Sequence, residues 1–408
     1  MKSGKTGREG STKHGGIHRE RRNAILKAII DSRRITRDRL SELLRLSPSS
    51  IVKYTKILLE QKLIREMGKE DSTGGRRSLF LEITPDAGLS IGVVVDLSSM
   101  RGVLMNAVGE ILEERDGPTR QGIERDEWIE NLFKLLAALV AGARKLTKPI
   151  PGIGIAIGGF IDPRAGISHE FFYAKNWYDV PLKQLVEERF GITCHLVSHA
   201  AACALGEKNS PLAAGIDNLL CVWLGDGVCV GIVMNGEPYG GATEYAGCLG
   251  HAVSVEGGAL CYCGHTGCLE TVCSRQVVLA ACREGLRQGV SSEAMKLSGG
   301  NIETLTIESV IEAANRGDRF ARNCFPLAGL QLGIKLSDVA NLLNPALIVL
   351  RGPLIDGNAF LAELIERTVL ERSLRQTARS LRVAYSEEAR DIRLDGVRSV
   401  IMNHSFSG

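Results

Sequence analysis

Residues 251–270 read HAVSVEGGALCYCGHTGCLE, and this stretch decides what kind of body the rest of the chain builds. Three thiols, Cys261, Cys263 and Cys268, follow the imidazole of His251 within eighteen positions. Gly264 and Gly267 let the intervening loop bend back on itself, so the four side chains can surround one tetrahedral zinc ion. Four protein ligands leave no open coordination position, so a metal held there is structural and not hydrolytic. Any one of these cysteines alone reads as a small buried apolar side chain. The set of four carries the metal reading.

The wider cysteine pattern agrees. The chain has 11 cysteines, an odd count, all between Cys194 and Cys324. A secreted disulfide scaffold does not distribute its thiols that way, so reduced thiols and metal ligands are expected. A chain of 408 residues with 44% hydrophobic and 24% charged content reads as soluble, globular and built of two or three domains. No run of eighteen apolar residues occurs and residues 1–16 are polar and Gly-rich, so a cytoplasmic location with no membrane partner is expected.

The net charge of +3 hides an asymmetry: 20 Lys and Arg stand against 9 Asp and Glu through Arg77, and 30 against 38 beyond it. A basic module fused to an acidic body points to a polyanion partner for the first part alone. Residues 1–18 read as a flexible basic tail and 19–85 as a folded module. Ile25, Leu26, Ile29 and Ile30 form one helical stripe. Thr36 can cap a second helix with Leu40, Leu43 and Leu44 inward. Ser47 can cap a third, with Pro48 at its first position. That third helix places Ile51, Thr55, Leu58 and Leu59 on one side. On the other it shows Ser49, Ser50, Lys53 and Lys56, with Tyr54 near the boundary. Two strand-like runs, 63–67 and 79–83, flank a hairpin tip that carries Arg76 and Arg77. A winged helix-turn-helix is expected, with Ser47, Ser49, Ser50, Lys53, Tyr54, Lys56, Arg76 and Arg77 facing a double-stranded DNA operator. The alternative is a helical protein-interaction module with an incidental hairpin.

From residue 86 to 408 the pattern becomes α/β, in two lobes. Strand-like runs at 89–96, 102–106, 111–115 and 152–157 surround a long amphipathic helix at 128–146. A second series follows at 219–224, 228–234 and 346–350, and Asn235-Gly236 marks a tight hairpin turn.

The metal stretch closely resembles that of the ROK family, whose repressors and sugar kinases share an actin-like fold. LSELLRLSPSSIVKYTKILLEQKLI and STGGRR are similar to the DNA-binding module of the family's repressors. GIGIAIGGFID, NWYDVPL, AAACALGE, AGCLGH, CYCGHTGCLE and LLNPALIVLRGPL follow the family order through the effector domain. The resemblance implies a winged head joined to a two-lobed, ribonuclease-H-like body with an interlobe cleft. It places an effector, a sugar or sugar derivative, among Gly159, Asn176, Ser198, His199, Cys248, His251 and Glu270, and a structural zinc on His251, Cys261, Cys263 and Cys268.

The departures from the kinase pattern point away from catalysis. The family's phosphate turn after the first strand is rich in glycine, whereas Asp96-Leu97 is followed here by Ser98, Ser99, Met100 and Arg101. The second phosphate turn carries Asp226, whose charge is expected to repel phosphate, and the adenine-side Gly-Gly reads Arg351-Gly352. Ser198-His199 stands where the family's kinases have Asn-Asp, the sugar clamp and the proton acceptor. Cys248 replaces a sugar-binding Glu.

The expectation is a carbohydrate-linked repressor, not an enzyme, acting as a homodimer or tetramer. The alternatives are an active sugar kinase with a DNA-binding head and a regulator tuned by a protein partner. A His199 contact to an anionic ligand would tighten as pH falls through about 6.5.

Overall fold

The computed structural model describes residues 9–69, 79–385 and 391–405, the side chains of 9–17 and 69 excepted. Three helices, α1 (Glu9–Ser32), α2 (Arg37–Leu44) and α3 (Pro48–Glu60), build the head. A small antiparallel sheet of β1 (Ile35–Thr36), β2 (Ile64–Lys69) and β3 (Leu79–Ile83) completes it, in the order β1-β3-β2. The caps are those the sequence supplies. Thr36 Oγ1 accepts the Arg39 N–H at the start of α2, and Ser47 Oγ accepts the Ser50 N–H at the start of α3, with Pro48 in the first turn. Arg45, left-handed at φ 51°, ends α2 and sets the turn into α3.

Ile25, Leu26, Ile29, Ile30, Leu40, Ile51, Leu58, Ile64 and Leu81 meet in the head's core. Each such burial is worth about 1.5–3 kcal/mol against an exposed side chain. Two sequence expectations are corrected here. Leu43 is 61% exposed, because a two-turn helix buries a single stripe and Leu40 and Leu44 occupy it. Helix α1 starts at Glu9 and so reaches into the stretch expected to be a flexible tail.

The body repeats one architecture twice. The first sheet contains β4 (Leu89–Val95), β5 (Met100–Asn106), β6 (Ile111–Gly117), β7 (Gly152–Ile157) and β8 (Cys194–Ser198), in the order β8-β7-β4-β5-β6. Helices α4 (Arg125–Lys145) and α5 (Leu182–Phe190) cover it. After α6 (His199–Lys208) comes the second sheet: β9 (Leu219–Leu224), β10 (Val228–Met234), β11 (Glu237–Pro238), β12 (Leu347–Arg351) and β13 (Arg382–Tyr385), in the order β11-β10-β9-β12-β13. In both sheets the first three strands form an antiparallel meander and the last two add in parallel to the first. The turn between β10 and β11 is the expected Asn235-Gly236, both residues at positive φ as a tight hairpin demands. Helices α7 (Arg275–Arg287), α8 (Ile307–Asn315), α9 (Pro326–Leu343) and α10 (Ala359–Arg372) pack over the second sheet.

Two helices swap lobes and position the cleft. Helix α6 leaves the first sheet but lies on β10 of the second, and α11 (Ile392–Ser405) follows the second sheet but lies on β4 and β7 of the first. Their crossing is backbone against backbone: a Cβ at Gly396 would fall 2.0 Å from the Ala202 carbonyl oxygen. Among the described residues, no helix is long and apolar enough to cross a membrane.

Candidate functional site

The loop 251–270 brings His251, Cys261, Cys263 and Cys268 together. Their ligand atoms all lie within 4.8 Å of one another. His251 Nδ1 is 3.6 Å from Cys261 Sγ, and Cys263 Sγ is 3.6 Å from Cys268 Sγ. Ligands about 2.0–2.3 Å from a tetrahedral centre stand about 3.5–3.8 Å apart, so the cluster has the size and the soft donors of a metal site. Gly267, at φ 74°, makes the loop possible, because a Cβ there would fall 1.8 Å from the Val255 carbonyl oxygen. With Nδ1 turned to the thiols, His251 Nε2 is left facing the Tyr262 hydroxyl at 3.5 Å.

That second face of His251 borders the cleft between the lobes, a pocket of about 780 Å³ with its open mouth. Gly159, Ser198, His199, Cys248, His251 and Glu270 all line it. Glu270 Oε2 accepts the Val228 N–H at 2.8 Å, while Oε1 is buried with no partner in the protein. Burial raises its pKa, against the hydrogen bonds from Tyr262 and Val228. Ser198 caps α6, its Oγ accepting the Ala201 N–H at 3.1 Å. His199 Nε2 is likewise buried and unpartnered. Burial, seconded by the Arg393 charge, pushes the His199 imidazole down to about 4. His199 is therefore neutral at physiological pH, and the expected tightening of an anion near pH 6.5 is corrected.

Asn176 is the one expected cleft residue that the pocket does not include. It is exposed and left-handed at φ 56°, with its Nδ2 donating to Glu124 at 3.0 Å. Its turn serves to bury the neighbouring Trp177, whose Nε1 donates to Ser168 Oγ at 3.0 Å.

Sequence reasoning missed the aromatic wall of the pocket. Phe160 packs on Phe172 and Tyr245 at centroid distances of 5.6 and 5.3 Å, and Phe172 packs on Tyr262 at 4.8 Å. The available signal was density: in a chain only 5% aromatic, Phe171, Phe172 and Tyr173 are consecutive.

Where the resemblance places the phosphates, charged side chains of the protein pair with one another. Arg393 donates to both carboxylate oxygens of Asp96 at 2.7 and 2.8 Å and also binds Asp391 at 2.8 Å. Its guanidinium carbon lies 3.8 Å from the centroid of the Trp223 ring, which comes from the opposite lobe. Burial alone would raise the Asp96 carboxyl, but Arg393 overrides it and holds it at about 2. Asp226 does not stand as an uncompensated charge. Arg275 binds it at 2.7 Å and reaches Ser98 Oγ at 3.1 Å, so occupation by side chains replaces the expected repulsion. Arg351 is also consumed, paired with the buried Glu207 at 2.9 Å.

On the head, Ser47, Ser49, Lys53 and Lys56 are exposed and Ser50 is half-buried. Tyr54 is corrected: it is 3% exposed, packs in the core and hydrogen-bonds His18 of α1. Its place on the exposed face goes to Val52, 55% exposed between Ser49 and Lys56, which sequence reasoning passed over. Arg76 and Arg77 lie outside the described residues.

Known proteins share this plan. The chain is 32% identical to a candidate xylose repressor of Caldicellulosiruptor sp. (strain Rt8B.4), covering 92% of this chain and 93% of that one. It is 27% identical to the DNA-binding transcriptional dual regulator NagC of Escherichia coli (strain K12), covering 89% and 88%. The crystal structure of a ROK family transcriptional regulator, a homologue of the E. coli MLC protein, superposes with a TM-score of 0.75. That match covers 96% of this chain and 97% of the other at 24% identity. The ROK family profile itself matches residues 90–393, the whole span of cleft and thiol cluster, and the chain belongs to the ROK family.

Proposed function

We propose that this chain is a transcriptional repressor that reads an operator through α3 and its hairpin and senses a neutral sugar in the interlobe cleft. The observation that carries this reading is a winged head joined to a kinase-like cleft whose phosphate side is closed by Arg393 on Asp96. Phosphoryl transfer needs room for the phosphates and a proton acceptor at the sugar hydroxyl. Here paired side chains, Arg393 on Asp96 and Arg275 on Asp226, take the first place.

The cleft that remains suits hydroxyls. Glu270 Oε1 can accept from a ligand hydroxyl, and His199 and His251 Nε2 can each exchange one hydrogen bond with it. The aromatic wall supplies apolar contact for sugar C–H groups. Arg393 and Arg275 are each engaged by carboxylates, which argues against the anionic ligand first considered. His251, Cys261, Cys263 and Cys268 would hold a structural zinc. A bound zinc fixes the loop and with it the orientation of His251 toward the cleft.

On the head, Ser49 and Val52 stand at the N-terminal, base-reading half of α3, while Lys53 and Lys56 reach phosphates. A helix-turn-helix reads few base pairs, so a homodimer on a two-fold site is expected. Exposed Val253, Leu327 and Leu330, gathered around the Ser254–Gln331 hydrogen bond, offer an apolar face to the second copy.

The test has two arms on the purified protein. Selection from a random duplex pool should return one enriched sequence, and a coupled assay with magnesium, ATP and a panel of pentoses and hexoses should yield no ADP above background. ADP formation that disappears in His199→Ala would establish the kinase instead.

A further inference from the structure

The reading above leaves open how the cleft reaches the head, and one element touches both. At its first turn α11 carries Arg393, which ties Asp96 of the first lobe to the Trp223 ring of the second. Two residues on, Asp395 meets Arg33, just past the end of α1, at 4.0 Å. Arg398 donates to the Ala107 carbonyl at 2.8 Å, and Ala107 packs in the head's core. Near its other end Met402 is fully buried in that same core, beside the residues that carry α1 and α3. Asn403 donates to Asp31 of α1 at 3.2 Å. At 14 residues the helix spans about 21 Å.

Its sides are as constrained as its ends. Val397 presses on Gly92 and Gly154 of the first sheet, where added Cβ atoms would fall 3.4 and 2.4 Å from it. Gly396 touches the backbone of α6, whose first residue is the cleft's His199. A helix packed this closely along its length shifts as a unit in preference to bending. Its N-terminal grip, by contrast, bridges the two lobes, so any ligand that changes the lobe angle must reset it.

We propose that α11 is the mechanical link of the molecule: the Asp96–Arg393–Trp223 grip sets its position, and Met402 and Asn403 deliver that position to the DNA-reading head. The proposal rests on the repressor reading. It goes further in naming one helix as the coupling element and Arg393 as a positioning residue that touches neither sugar nor DNA.

Coupling of this kind is reciprocal, so it can be read without knowing the ligand. DNA selected by the full chain from a random pool is the probe. Hydrogen exchange of the wild type is compared with and without it. Binding should change the protection of backbone amides at 392–396 and 96–99, at the cleft end, at least threefold. A second measurement is a double-variant cycle on operator affinity. Asp96→Asn should shift that affinity at least fivefold, and Met402→Ala in the same chain should remove most of the shift.

Unchanged cleft-end exchange, or additive effects of the two substitutions, would overturn the proposal while leaving the repressor reading intact. A wild type that selects no DNA would overturn both. If Asp96→Asn does not fold, Trp223→Phe, which keeps a ring under Arg393, replaces it in the cycle.

Discussion

His199 illustrates what a single residue reveals and hides. Its position at the head of α6 is plain from Ser198-His199-Ala200-Ala201, but its protonation is set by burial first and then by the charge of Arg393, both decided by segments distant in sequence. With a folded pKa of about 4 against about 6.5 unfolded, the unfolded chain binds the extra proton between those values. Stability therefore falls as pH drops from 6.5 toward 4, each pKa unit being worth about 1.4 kcal/mol. Thermal unfolding followed across that window should show the loss, and His199→Gln should lessen it, with a remainder from His195, which burial likewise pushes down to about 4. An unchanged slope in the variant would assign the loss to other groups. Val52 makes the second prediction at this scale. If its methyls meet a thymine methyl, replacing that thymine with deoxyuridine should weaken wild-type binding about fourfold, as loss of about 0.8 kcal/mol implies. Val52→Ala should not discriminate between the two bases. Sequence reasoning placed Tyr54 near the boundary of the exposed face and did not consider Val52. The exposure of each was decided by His18 and by the packing of α1.

Among elements, the loop 251–270 was the most legible, since His251, Cys261, Cys263 and Cys268 are close in sequence and the fold gathers them as their spacing implies. The purified protein should carry about one zinc per chain, and Cys263→Ser should lower that content and the melting temperature together. Metal analysis without zinc, with all thiols titrating freely in the native state, would contradict the assignment. Seven of the ten strands of the two sheets were legible too, from Leu89–Val95 to Leu347–Arg351, most of them as continuous apolar runs, whereas Cys194–Ser198, Glu237–Pro238 and Arg382–Tyr385 were not read as strands. Their identical order was not legible, nor was the exchange of α6 and α11 between lobes. These depend on contacts such as Gly396 on Ala202 and Gly231 on Ala204, and no local pattern encodes them. The closed phosphate side was half legible. Lost glycines at Ser98 and Ser99 signalled it, but Arg393 lies nearly three hundred residues from the Asp96 it neutralises.

At the scale of the whole molecule, a basic head rests on a body of two matched lobes, and the exposed apolar face at Leu327 and Leu330 is the seam we propose for a second copy. Leu330→Asp should shift the protein toward monomer in sedimentation and weaken operator binding at least tenfold, because one head reads too few base pairs. A dimer that persists unaltered would place the seam elsewhere. The central claim is that α3 reads DNA, and it is tested most directly by a titration of selected operator across a salt series. The wild type and Lys53→Ala/Lys56→Ala are compared. The account predicts that the wild type binds its selected sequence in preference to scrambled DNA. It predicts that the variant loses at least tenfold in affinity and that its salt slope is shallower by about two units, one per phosphate contact. Equal affinity and equal slope for the two proteins, or a wild type that does not distinguish its selected sequence from scrambled DNA, would contradict it.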